Sequence, residues 1–247
     1  MTFRRILLAA FALAFFTASA RADDAKDTAK PDADGFVTMF NGTDLTGWSG
    51  LEGFWSVKDG VISGAETKEH AAPQTFLIYK DKFSDFELHY SYKFATPDGN
   101  SGVQFRSKVM DEKKPFRIGG YQADCDGKKG YDGSIYDEGG VAGGRGTMSG
   151  RGEKTVWDAD NKRHNDKLPE DNKKLQEYVK KGDWNDVVLV AKGGHITYTI
   201  NGHLMTDLQD DSPKAVKDGV IGLQLHQGFV MEIQFKDLKI KDLAEKK

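Results

Sequence analysis

One cysteine in a chain of 247 residues leaves no partner for an intramolecular disulfide, so stability has to come from a buried core. Basic residues are not in excess either. Lys and Arg (35) are interspersed with Asp and Glu (38), for a formal charge of −3, which excludes the electrostatic footprint of a nucleic-acid or polyanion binder and of a polybasic membrane patch. Long apolar runs are absent: the longest, Ile6 to Phe16, has 11 residues, well short of the roughly 20 that a membrane-spanning helix needs. Helical periodicity, internal repeats, an ExDxxE string, a GxSxG elbow and a GKS or GKT ending are all missing. Their absence sets aside β-glucanase chemistry, serine hydrolysis and a phosphate loop.

What is present begins with a leader. Arg4 and Arg5 precede the apolar run, and Ala18-Ser19-Ala20 or Ala20-Arg21-Ala22 supplies a small-x-small cleavage pattern, so residues 1–22 read as a signal peptide and the mature chain as exported, periplasmic or secreted. Residues 23–35 are polar and aperiodic and read as a flexible lead-in. The remainder, 36–243, reads as one folded domain. Its texture is short runs rich in β-branched and aromatic residues, such as FLIYK (76–80), DFELHYSYKF (85–94) and GVQFRS (102–107), broken by Gly, Asn and Asp. Asp59-Gly60, Gly193-Gly194 and Asn201-Gly202 mark hairpin turns. Such a pattern predicts an all-β sandwich or jelly roll. The charged stretch Trp157–Lys181 interrupts it and reads as an insertion with one short helix, begun by Pro169-Glu170-Asp171 and ending near Tyr178. The glycine-rich stretch 139–152 reads as a mobile loop at the edge of a site.

Alternation separates each strand into two faces. Val103 and Phe105 oppose Gln104 and Arg106; Tyr121, Ala123 and Cys125 oppose Gln122, Asp124 and Asp126; Leu223 and Leu225 oppose Gln224 and His226; Phe86, Leu88 and Tyr90 oppose Glu87 and His89. A merely solvated face favours Lys, Glu and Thr, whereas Gln, Arg, Asp and His make directional bonds to hydroxyls and carbonyls. These residues are therefore candidates for a ligand face. Asp124, Asp126, Asp132, Asp137 and Glu138 also cluster along adjacent strand and loop. Oxygen ligands at that density suit Ca²⁺ or another hard divalent ion, with Asp124, Asp126 and Asp137 as candidate ligands, although no DxDxDG loop occurs. Loop capping explains the same acids without a metal. Tyr136 and Trp157 are candidates for stacking on sugar rings.

The segment Phe40-Asn41-Gly42-Thr43-Asp44-Leu45-Thr46-Gly47-Trp48 resembles the opening of the 3-keto-disaccharide hydrolase domain family. FWSVKDGVISG, SDFELHYSYKF, NSGVQFRS, GYQADCD, GSIYDEGG, GDWN, ITYTINGH and the GVIGLQLHQGF stretch follow in order. The resemblance implies a concanavalin A-like jelly roll with its ligand on the concave sheet. It also implies a substrate already oxidised at C3 by a glycoside 3-dehydrogenase. A C3 ketone acidifies the C2 proton, so a base can form an enolate that expels the C1 substituent, after which water adds. That chemistry makes His226 the candidate base or acid, Asp124 a second acid or base, and Arg106, with Gln104 and Gln122, the candidate holder of the C3 oxygen. Tyr136, Glu138, Gln224, Glu87 and Trp157 are the further candidates for binding substrate. Two other readings stay open, a non-catalytic carbohydrate-binding module of the laminin-G or lectin kind and a structural cell-surface domain. The sequence is silent on self-association.

Overall fold

The computed structural model describes residues 30–128 and 130–245, so the expected leader at 1–22 lies outside the described residues. In chain order the strands are β1 (Val37–Thr38), β2 (Trp48–Ser49), β3 (Trp55–Lys58), β4 (Val61–Glu66), β5 (Thr75–Phe83) and β6 (Phe86–Phe94). They continue as β7 (Asn100–Val109), β8 (Ile118–Asp126), β9 (Ile135–Glu138), β10 (Thr147–Ser149), β11 (Glu153–Trp157) and β12 (Arg163–Lys167). After the helix α1 (Asn172–Glu177) come β13 (Asn185–Lys192), β14 (His195–Ile200), β15 (His203–Asp210), β16 (Gly219–Leu225) and β17 (Met231–Asp242).

Two sheets form a jelly-roll sandwich. One has seven strands in the order β10-β9-β8-β7-β16-β5-β2; the other has ten, in the order β12-β11-β15-β14-β13-β6-β17-β4-β3 with β1 beside β17. Period-2 alternation turns Leu77, Val103, Phe105, Tyr121, Ala123 and Leu223 of the first sheet toward Ile62, Phe86, Leu88, Leu189, Ile233 and Phe235 of the second, all buried in one core. That shared burial is what holds the sheets face to face. Phe86 meets Phe105 across the gap with ring centroids 6.0 Å apart. Cys125 is free and buried in the same core, as alternation predicts.

The expected turns form where expected. Asp59 and Gly60 (φ 52° and 76°) reverse the chain between β3 and β4, and Asn201 and Gly202 (φ 52° and 82°) do so between β14 and β15, the double positive φ of a type I′ hairpin. The inserted helix also matches: the Asp171 carboxylate accepts from the Lys174 amide as N-cap, and Tyr178 is the C-cap. The rest of the insertion is more regular than its charge suggests, because β11 pairs parallel with β15 and antiparallel with the exposed β12, extending the ten-stranded sheet. Residues 23–29 of the expected lead-in lie outside the described residues; at its end, the Asp32 carboxylate accepts from the Asp34 and Phe36 amides and forms a turn into the domain. The glycine-rich segment is likewise pinned rather than loose. Asp137 accepts from the Ala142 and Arg145 amides, and the Arg145 guanidinium is buried against Asp210 at 2.6 Å.

Candidate active site

The seven-stranded sheet has a polar outer face. Across its central strands Gly222, Gln104, Gln122 and Tyr136 lie in register, and Gly102 lies opposite Asp124. Glycine is required here because long polar side chains lie flat along the sheet. A Cβ on Gly102 would come within 2.6 Å of Gln122 Cγ, and one on Gly120 within 2.4 Å of Ser107 Oγ. Gln122 Nε2 donates to Asp124 Oδ1 at 2.7 Å and to Gln224 Oε1 at 3.3 Å, while Gln104 Nε2 donates to Gln122 Oε1 at 3.1 Å.

A cavity of about 620 Å³ opens above this face. It is lined by Gln122 and Asp124 of β8, by Tyr136 and Glu138 of the neighbouring β9, and by His226 and Gln227, which follow β16 on the far side of β7. Lys114 and Arg117, from the loop between β7 and β8, also line it, as does the exposed Tyr131. Tyr131 is 49% exposed and Tyr136 37%, so both present aromatic faces to whatever enters, the arrangement that suits a sugar ring. Gln74 and Gln227 bond each other reciprocally, backbone amide to side-chain oxygen, both at 3.3 Å, and Gln74 Nε2 reaches Glu138 Oε1 at 3.3 Å. This clasp ties the lead into β5 to the His226 segment.

Protonation states follow from the surroundings. His226 Nδ1 lies 2.8 Å from the Gln227 carbonyl oxygen; a carbonyl only accepts, so Nδ1 carries the proton and Nε2 of the neutral ring offers a lone pair. Burial pushes the Asp124 carboxyl up to about 8, against the bond from Gln122, with the charges of Glu138, Asp126 and Asp132 pushing the same way as burial. At neutral pH Asp124 is therefore mostly an acid with a proton to give. Glu138 is also raised by burial, an effect opposed by the Gln74 bond and the positive charge of Arg117, and by His226 when its ring is protonated. One cavity thus combines a neutral acid, a second carboxyl group, an imidazole base and two cations, the groups that acid–base chemistry beside a developing oxyanion requires.

Several expected site residues lie elsewhere. Arg106 does not share the face of Gln104. A β-bulge between Phe105 and Lys108 holds Arg106 at φ 48°, and the extra residue turns its side chain aside and puts Ser107 where alternation would have put Arg106. Arg106 is 2% exposed, donating to the carbonyls of Ser84, Gly193 and Val216 and to Asp85. Glu87 lies on β6, in the other sheet, and accepts from His89 Nε2 at 2.6 Å. Trp157 donates from Nε1 to the Met148 carbonyl and lies under the Arg145 guanidinium at 4.6 Å; it does not line the cavity. Gln104 and Gln224 are on the expected face but fully buried.

The acidic cluster caps loops. Asp126 accepts from the amides of Lys128, Gly130 and Tyr131, and both Asp137 oxygens hold the glycine-rich segment. Asp132 accepts from Tyr92 and the Asp126 amide and pairs with Lys181 at 2.8 Å. The carboxylates of Asp126 and Asp137 are thus spent on backbone amides, and no group of three or more His, Cys, Asp or Glu placed to hold a metal ion occurs among the described residues. The expected ligand set does not assemble. Lys114, Arg117, Gln74 and Tyr131 are cavity residues that sequence reasoning passed over. Lys114 and Arg117 follow Asp111, Glu112 and Lys113 in a charged stretch with no alternation to mark them. The available signal was that this loop joins the two strands carrying Gln104 and Asp124.

Comparison with known proteins agrees with this architecture. A candidate glycosyl hydrolase from Parabacteroides distasonis superposes with a TM-score of 0.57 at 22% identity, covering 86% of this chain and 95% of that one. The carbohydrate-binding module CBM66 from Bacillus subtilis superposes with a TM-score of 0.54 at 16% identity, covering 83% and 99%. At such identities the likeness is one of fold. A Bacteroides thetaiotaomicron protein named 3-keto-disaccharide hydrolase is 32% identical over 92 residues, which span 33% of this chain and 31% of that relative. Residues 35–241 match the 3-keto-alpha-glucoside-1,2-lyase-like domain, and the chain belongs to that family.

Proposed function

We propose that the chain is an exported enzyme that cleaves the glycosidic bond of 3-keto-glycosides, 3-keto-disaccharides among them, by elimination followed by hydration. The observation that carries the reading is the cavity in which the neutral acid Asp124 faces Glu138, His226 and Arg117. The C3 ketone makes the C2 hydrogen acidic, and His226 Nε2 takes it as a proton; the negative charge of Glu138 stabilises the imidazolium that forms. The electron pair left on C2 delocalises onto the C3 oxygen, where Arg117 and Lys114 stabilise the enolate. Collapse of the enolate forms the C1–C2 double bond and breaks the C1–O bond, and Asp124 protonates the departing oxygen. Water then adds to C1, giving one proton to the Asp124 carboxylate, while His226 returns its proton to C2. The products are a 3-keto sugar and the free aglycone, and both catalytic groups are reset.

The ketone has to come from an enzyme that oxidises the C3 hydroxyl, a glycoside 3-dehydrogenase. The exported location rests on the leader pattern at 1–22. A non-catalytic carbohydrate-binding role is the second reading, favoured by the two exposed tyrosines of the cavity. An NMR time course with 3-keto-trehalose, beside unoxidised trehalose and a His226→Ala variant, separates the two. Release of 3-ketoglucose by the wild type alone, deuterium entry at C2 in D₂O and a rate that falls above about pH 8, where Asp124 loses its proton, are the expected results. Binding of the keto sugar without turnover would leave the binding module.

A further inference from the structure

Gln104 was expected to touch substrate, yet it is fully buried and does not line the cavity. Its bonds run in one direction. Gln122 Nε2 donates to Asp124 Oδ1, a bond that a carboxyl oxygen accepts whether or not the other oxygen carries the proton, and this turns Gln122 Oε1 toward Gln104. Gln104 must in turn offer its NH₂ to Gln122, leaving Gln104 Oε1 to accept from the Ser107 hydroxyl at 2.6 Å. Ser107 reaches this face because of the bulge that turns Arg106 away. Gly102 and Gly120 leave the space in which Gln122 and Ser107 lie.

A second observation points the same way. Gln122 also donates to Gln224 Oε1, and Gln224 Nε2 is left buried without a partner. A buried orphan amide is costly and calls for a reason. Reversing the chain would offer Gln224 an acceptor but would turn Gln122 Oε1 onto Asp124, an arrangement that only the protonated carboxyl tolerates, whereas the order present also supports the carboxylate. The order that is present favours Asp124 at the expense of Gln224.

We propose that Ser107, Gln104 and Gln122 form a one-way hydrogen-bond relay that sets the orientation and acidity of the Asp124 carboxyl, with Gln104 a positioning residue that never meets substrate. The relay deepens the proposed function, since it supports the acid of that reaction, but it can be tested without turnover. The charged groups that also act on Asp124 are Glu138, Asp126 and Asp132, with Lys114, Arg117 and His226 in the cavity; Tyr90, Cys125 and Tyr136 feel its charge in return. None of these is changed by substitution of Gln104 with an apolar side chain of similar length.

The test is a ¹³C NMR titration of the Asp124 carboxyl carbon, identified by its loss in Asp124→Asn, in the substrate-free wild type, Gln104→Met, Ser107→Ala and Gln122→Met. A donated bond favours the carboxylate, so freeing Gln122 from its anchor is expected to raise the Asp124 midpoint by about one pH unit in Gln104→Met, a roughly tenfold change in proton affinity. Ser107→Ala, one bond farther away, is expected to give a smaller rise of the same sign. The high-pH limb of kcat should move with the titration while KM changes little. An unchanged midpoint in folded Gln104→Met, with Gln122→Met shifting it, would reduce Gln104 to packing and overturn the relay. Should Gln104→Met fail to fold, an unchanged midpoint in Ser107→Ala does the same. Absence of turnover of any keto sugar by the wild type would overturn the proposed function and leave the titration result standing.

Discussion

Replacing Arg106 separates structural support from chemistry. Its guanidinium donates to three carbonyls, of Ser84, Gly193 and Val216, and to the Asp85 carboxylate at 3.0 Å, so it ties the turn before β6, the β13–β14 hairpin and the segment before β16 to the bulge in β7. Removing one partner of a buried ion pair costs about 3–5 kcal/mol. The Asp85 side chain is 28% exposed, and water reaching it puts Arg106→Ala toward the lower end, about 3 kcal/mol. For a domain of this size that is a fall in Tm of about 6–12 °C. Backbone strain supplies an internal control. At φ 48° a Cβ costs about 1–2 kcal/mol that glycine avoids, partly offset by the greater chain entropy of glycine. Arg106→Gly should therefore be more stable than Arg106→Ala by about 1 kcal/mol, although it removes more side chain. Thermal and urea unfolding measure both variants, and kcat, taken where each is folded, should stay close to wild type. A variant with unchanged Tm and lost kcat would refute the placement of Arg106 outside the chemistry. Glycine no better than alanine would refute the strain argument.

Other perturbations follow from the same geometry. Asp124 titrates at about 8 in the folded protein and near 3.9 when unfolded; between these values the folded state binds more protons, so stability falls as pH rises through that window. Asp124→Asn should flatten this dependence, and parallel Tm–pH curves for the two proteins would exclude it. Gly102→Ala places a methyl 2.6 Å from Gln122 Cγ and 2.9 Å from the Ala123 carbonyl, with an expected loss of about 1–3 kcal/mol in urea unfolding and a drop in kcat from the displaced Gln122. Tyr131→Ala and Tyr136→Ala remove exposed rings, so Tm should hardly change while KM rises about 2- to 10-fold for a stacking contact of ordinary strength. Unaltered KM in both would remove these rings from substrate binding.

The clearest correspondence between sequence and site is on β8, where strict alternation without a bulge put Cys125 in the core and Gln122 and Asp124 on the outer face. His226 was legible for the same reason, continuing the parity of Gln224, opposite to the buried Leu223 and Leu225, past the end of β16. Arg106 was misread two residues from Gln104, whose face alternation gave correctly although its burial keeps it out of the cavity. A bulge changes the phase of alternation, and no residue type marked it: a positive φ at an arginine has no composition signal. Glu87 had the right parity and the wrong sheet. Period-2 patterning states which side of a strand is buried, and the same pattern arises on either sheet of a sandwich, so only strand pairing decides which outer face a residue joins.

The sequence by itself determined what is local. Alternation, Asn-Gly and Asp-Gly turns and the Asp171 cap are each set within a few residues by side-chain direction, φ preference or a single hydrogen bond, and together they determined an all-β sandwich with one short helix. Tertiary structure decided what depends on distant segments. The folding of the β7–β8 loop brings Arg117 into the cavity of Glu138, where its charge acts on that carboxyl, the clasp of Gln74 with Gln227 ties down the His226 segment, and burial keeps Asp124 protonated at neutral pH. A carboxyl group has its usual acidity wherever water solvates its charge, and only the assembled sheet, with its covering loops, removes that water from Asp124.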